Sequence, residues 1–138
     1  MLPAIAVLHV RHAQVRQSGA ILGTIAGTAM VTVGLGGSVN VDLQPAALVV
    51  LGIWWWSIGK TWAETAVLAR PFGVATAALG ALAVLAAFVA AFGVGIAAVR
   101  PGAPYVPIWT IDQLVVGAWL IALAVTLWRE PLASARPR

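Results

Sequence analysis

Few side chains in this sequence are equipped for chemistry, and they lie far apart. Asp112 is the one acid near the interior of an apolar run. Carboxylates inside membranes are costly and often mark ion or proton paths. Asp112 also lies only five residues after Pro107, where an aspartate in the first turns of a helix satisfies free N–H groups and the positive dipole end, or pairs with Arg100. Lys60 and Glu64 are four apart, the spacing of a weak pair on a wet helical face, with a substrate or lipid-headgroup site as the sharper alternative. His9 and His12 are the only histidines. Spaced i and i+3 they suit a shared metal, but no third ligand stands nearby, so no metal is expected. The apolar runs hold no histidine, so this chain alone cannot supply the axial imidazole of a membrane haem. Carboxylate clusters, Ser–His pairs and phosphate loops are missing. The sequence has no cysteine, which removes thiolate sites and disulfides and leaves the redox compartment open. No catalytic set and no cofactor are expected.

Two groups of residues point to structure instead. Gly19, Gly23 and Gly27 form a GxxxGxxxG series, with Ala20, Thr24 and Thr28 on the neighbouring stripe. Small residues four apart let helices approach closely in lipid. The seam serves either a second copy or another helix of the same chain. Trp54, Trp55 and Trp56 precede Lys60, while Trp109 and Trp128 bracket the last apolar run. Indole favours the membrane interface, so these five read as interfacial anchors. Stacking on a quinone or pigment is the alternative, although three consecutive tryptophans on a helix point in directions about 100° apart and cannot form one flat box.

The elements that carry these residues are membrane spans. Of 138 residues, 62% are hydrophobic and 9% charged, against about 45–50% and about 25% in soluble domains. A soluble monomer this small cannot bury so much apolar surface. The excess falls into runs long enough to cross a bilayer. Spans are expected over about 19–38, 45–62, 71–99 and 107–128. The second is short unless Lys60 reaches the headgroups and the helix continues toward Leu68, with Arg70-Pro71 as its break. The third is long enough to require tilt or an early end near Gly93 and Gly95. The segment from Arg100 to Pro107, with prolines three apart, reads as a stiff extended hairpin. Residues 1–18 form an N-terminal cytoplasmic or interfacial segment, and residues 129–138 a polar, mobile cytoplasmic tail. Within the first segment His9, His12 and Arg16 share a helical face, which suits an amphipathic helix lying on the membrane surface. Met1–Val10 lacks the basic start and cleavage site of a signal peptide.

The fold class is therefore all-α: an integral membrane four-helix bundle of antiparallel sequential spans. Seven of the eight Lys and Arg residues fall in segments on one side of it, with Arg100 alone on the other. The positive-inside rule then places both termini in the cytoplasm. A net charge of +4 is explained by topology and anionic lipid, without nucleic acid as a partner. Arginine outnumbers lysine strongly and the spans favour Ala, Val and Gly, a composition that suits a prokaryotic inner membrane.

The stretch Ile58-Gly-Lys-Thr-Trp-Ala-Glu-Thr-Ala-Val-Leu-Ala-Arg-Pro-Phe-Gly73 resembles the cytoplasmic turn of uncharacterised small polytopic prokaryotic membrane proteins. There a helix ends, a Val-Leu-x-Arg turn follows, and the next helix opens with Gly. The ending, Pro107-Ile-Trp to Leu127-Trp-Arg129, resembles the last span of the same proteins. The resemblance covers about half the chain and implies no activity, so no site residue is transferred by it. Such proteins often carry further spans upstream, which implies either a short start or the remnant of a preceding helix at the N-terminus.

The expected function is that of a non-catalytic integral membrane protein, an accessory or structural subunit of a larger membrane assembly or a self-oligomer. Its partners would be the lipid bilayer and either other membrane subunits or further copies. A small oligomeric transporter or channel is the alternative, with Asp112, Thr24 and Thr28 around one path. A membrane-embedded enzyme component, binding a lipid-soluble cofactor with a partner, is the second.

Overall fold

A computed structural model describes residues 1–15, 17–65, 67–97 and 105–129, with the backbone alone at residues 41, 90, 93–97 and 105–109. The described residues are helical and contain no strand. Five α-helices follow one another: α1 (Leu2–Ala13), α2 (Gln17–Val39), α3 (Gln44–Thr65), α4 (Arg70–Ala97) and α5 (Tyr105–Arg129), with one 3₁₀ turn over Val41–Leu43. Three of them, α2, α4 and α5, are long and apolar enough to cross a membrane. The described chain thus carries three such helices where sequence reasoning expects four. α3 has the length, at 22 residues, but Ser57, Lys60, Thr61 and Glu64 lower its mean hydropathy.

The helix ends follow local chemistry. Asn40 Oδ1 accepts the Asp42 N–H at 3.0 Å, a turn that asparagine favours, and Pro45 occupies the second position of α3, where its missing N–H costs nothing. α3 stops at Thr65 instead of running to Leu68; Leu68 turns inward and is fully buried. Pro71 opens α4, with the Ala69 carbonyl accepting the N–H groups of Phe72 and Gly73. α4 continues through Gly93 and Gly95 to Ala97, so of the two alternatives, tilt or an early end, the early end does not occur. The N-terminal part of the expected hairpin, together with Arg16, Arg100 and the tail beyond Arg129, lies outside the described residues; Tyr105 to Pro107 instead open α5.

The tightest packing joins α3 to α4. A Cβ placed on Gly52 would stand 2.6 Å from the Gly80 carbonyl oxygen, and one on Gly59 the same distance from the Gly73 oxygen. Real Cβ atoms do not approach so closely, so only glycine permits this backbone contact. The pairing matches later residues of α3 with earlier residues of α4. α3 also packs on α2, which makes it the most buried helix, with Leu51, Trp54, Trp55, Ile58 and Trp62 in the core. A helix covered by neighbours on two sides needs less apolar surface on its remaining face, which accounts for its lower hydropathy.

α1 corrects an expectation. It does not lie apart on a membrane surface; it folds back along α2 and buries Ile5, Leu8 and His12 in the bundle. The face that carries His9 and His12 is turned toward the protein.

Candidate functional site

The polar side chains that reach the interior hold helices to one another. Trp62 Nε1 donates to His12 Nε2 at 2.7 Å, and His12 Nδ1 donates to the Leu8 carbonyl at 2.9 Å. Since Nε2 accepts, the imidazole is the neutral Nδ1–H tautomer. Burial pushes the His12 pKa below its ordinary value of 6.5; the Leu8 hydrogen bond opposes this and the nearby His9 adds to it. His9 Nδ1 donates to Thr24 Oγ1 at 2.7 Å, while that hydroxyl donates to the Ala20 carbonyl at 2.8 Å. Both histidines are therefore engaged in joining α1 to its neighbours, and among the described residues no group of three potential ligands gathers to hold a metal.

Four of the tryptophans, Trp54, Trp55, Trp62 and Trp119, lie in the core of the described residues. Trp54 and Trp55 are 1% exposed, Trp62 is fully buried and Trp119 nearly so. Trp62 and Trp119 stack at 6.4 Å with planes 8° apart; Phe72 stacks on both, and Trp54 meets Trp119 edge-on at 5.7 Å. His12 extends the stack, parallel to Trp62 at 6.0 Å. Trp54 Nε1 donates to the Gly23 carbonyl at 2.9 Å, and Trp119 Nε1 to the buried Thr76 hydroxyl at 3.0 Å. Trp55 Nε1 is buried without a hydrogen-bond partner among the described residues. Trp54 and Trp55 are thus core residues and not interfacial anchors. The expectation fails because α3 is flanked by α2 and α4, so two of the three directions that consecutive residues take lead into protein. Trp56 and Trp128 are exposed, and the Trp109 side chain lies outside the described residues.

Within the chain, Gly27 of the α2 glycine series makes room for side chains. A Cβ on Gly27 would meet Trp54 Nε1 at 2.9 Å and Ile5 Cδ1 at 3.0 Å, whereas one on Gly23 would meet only Ile58 Cγ2 at 3.8 Å, an ordinary contact. Gly19 is half-buried at the start of the helix. The neighbouring stripe satisfies itself: Thr28 donates to the Thr24 carbonyl at 3.0 Å and Thr32 to that of Thr28 at 3.1 Å, the usual way to hide a hydroxyl on an apolar helix.

The remaining candidates do not converge. Lys60 and Glu64 face each other at 3.9 Å on an exposed surface. Lys60 is about 18 Å along α3 from Leu48, which lines a cavity at Asp112. Asp112 is two turns inside α5 because that helix starts at Tyr105; capping of the first turn is therefore not its role, and Arg100 lies outside the described residues. Its carboxylate accepts from Gln113 Nε2 at 3.3 Å. Two cavities of about 300 Å³ each border it. One lies between α2, α3 and α5, with Met30, Gly34, Ser38 and Leu51 in its walls. The other lies between α3, α4 and α5, with Leu48, Trp55, Ala83 and Val115. Sequence reasoning could single out Asp112 but had no signal for cavities, which arise from three helices at once.

In comparisons with known proteins, no family matches the chain, and no curated protein or solved structure shows significant similarity to it.

Proposed function

We propose that this chain is a non-catalytic integral membrane protein that works by packing, as an accessory or structural subunit of a larger membrane assembly or as a self-oligomer. In this reading α3 joins α2, α4 and α5 as a fourth span, sequential spans run antiparallel, and both termini face the cytoplasm of a prokaryotic cell. The central place of α3 and the Gly52–Gly80 and Gly59–Gly73 pairing support the arrangement. The observation that carries the functional reading is the use of the inward polar groups: His9, His12, Trp54, Trp62, Thr76 and Trp119 bond helix to helix. Such bonds stabilise a fixed scaffold, since a buried polar group left unmade in hydrocarbon is costly. Gly34 on α2 and Gly117 on α5 leave open space where a Cβ would stand, which suits close approach by a neighbouring helix. Extraction in a mild detergent at native abundance, with identification of the co-purifying subunits, tests this. Partners in fixed ratio, or further copies, support it; a lone chain contradicts it.

A small transporter is the second reading, favoured by the position of Asp112 between two cavities. Proton or cation flux in liposomes that disappears in Asp112→Asn would support it, and the absence of any flux would end it.

A further inference from the structure

We propose that Asp112 and the cavity between α3, α4 and α5 form a binding site for lipophilic organic cations, of the quaternary ammonium or phosphonium class. The proposal goes beyond the assembly role and needs no transport. It starts from an imbalance of charge. Asp112 is half-buried and borders two cavities, and its hydrogen bond goes to the neutral amide of Gln113. No described Lys, Arg or His lines either cavity, and Met1, which carries the α-amino group, stands in the wall of the α2–α3–α5 cavity alone, so the α3–α4–α5 cavity holds no described cation. A carboxylate in apolar surroundings is stabilised strongly by a cation at contact distance, because little water remains to screen the pair.

The walls decide what kind of cation fits. Apart from Asp112, the α3–α4–α5 cavity is lined by aliphatic side chains such as Leu79, Leu82 and Val115, and by Trp55. A hydrated metal ion gains nothing from such walls, and no set of three hard ligands exists among the described residues. An anion is repelled, and a neutral lipid makes no use of the carboxylate. An ion that carries its charge inside alkyl or aryl groups uses both: apolar contact for its body, and Asp112 for its charge. Indole is also the side chain that attracts cations best through its ring. A volume of about 300 Å³ lies at the small end of ligand pockets, which sets the size of the ion at a few short chains or rings. The second cavity is the less suitable one, since Ser38 and Gln113 stand in its wall.

Equilibrium dialysis of radiolabelled tetraphenylphosphonium against the full chain in nanodiscs tests the site. Saturable binding is expected, weakened about tenfold or more in Asp112→Asn, which keeps size but removes the charge. Ala86→Trp should fill the cavity and abolish binding, while Gly34→Leu, on the other cavity, should leave it unchanged. Uncharged triphenylphosphine oxide should not compete. Equal binding by Asp112→Asn, effective competition by the neutral compound, or no saturable binding overturns the proposal. Loss of binding in Gly34→Leu with retention in Ala86→Trp overturns the choice of cavity. Tryptophan fluorescence reports the fold of each variant, and the neutral competitor tests the wild-type chain if a variant fails to assemble.

Discussion

A methyl group added to a glycine should change stability in opposite directions at different helical positions of this chain. At Gly80 a Cβ would stand 2.6 Å from the Gly52 carbonyl oxygen and 3.0 Å from the Trp55 carbonyl carbon. Both are backbone atoms that no rotamer change can move. Gly80→Ala must therefore push α3 and α4 apart along their closest contact. Overpacking costs about 1–3 kcal/mol where a site cannot relax, and separation also loosens Trp54, Trp55 and Trp62 on α3. Better helix propensity returns up to about 1 kcal/mol, so the net effect is a loss of up to about 2 kcal/mol. At Gly34 nothing lies within 4 Å of the same methyl. There the propensity gain of about 0.4–1 kcal/mol acts unopposed. Unfolding in mixed micelles with rising dodecyl sulfate, followed by the fluorescence of the buried tryptophans, measures both variants. Equal shifts for Gly80→Ala and Gly34→Ala, or stabilisation by Gly80→Ala, would refute the glycine-mediated contact.

Two further predictions concern the interior hydrogen bonds. Protonation of His12 would turn its acceptor Nε2 into a donor facing the Trp62 N–H. Its pKa is lowered in the fold, so its contribution is complete above the unfolded value of about 6.5 and is lost as pH falls through the lower folded value. Unfolding midpoints should fall on acidification from pH 7 in the wild type and much less in His12→Phe; identical pH profiles would contradict this role. Thr76→Val keeps the volume but leaves the Trp119 N–H without its acceptor. It should cost about 1–3 kcal/mol and shift the emission of the tryptophan cluster, and an unchanged midpoint would show that the bond contributes nothing.

Periodicity and composition made the apolar helices legible, because a run such as Gly19–Ser38 has no stable state in water. The partners of each helix were not legible in the same way. The GxxxGxxxG series of α2 is conspicuous in one segment, yet the close backbone contact belongs to Gly52, Gly59, Gly73 and Gly80. That signal exists only across two segments: the glycines lie seven apart in each helix and mirror one another about the turn between α3 and α4. Trp54 and Trp55 misled for a related reason. Beside Lys60 they look interfacial, and only the flanking of α3 by α2 and α4 turns them inward. His12 finds its acceptor role 50 residues away in sequence at Trp62, a distance that no local pattern spans. Asp112 was recognisable as an unusual acid, but its two cavities depend on how α5 leans on the core through Trp119 and Leu123.

The central claim is that this chain acts through association within the membrane. Native mass spectrometry of the protein, released directly from its own membranes without overexpression, tests it most directly. The predicted result is a defined complex heavier than the 14.2 kDa chain, either an integer multiple of that mass or a fixed combination with other subunits. A single species at the mass of one chain, with only lipid attached, would contradict the account.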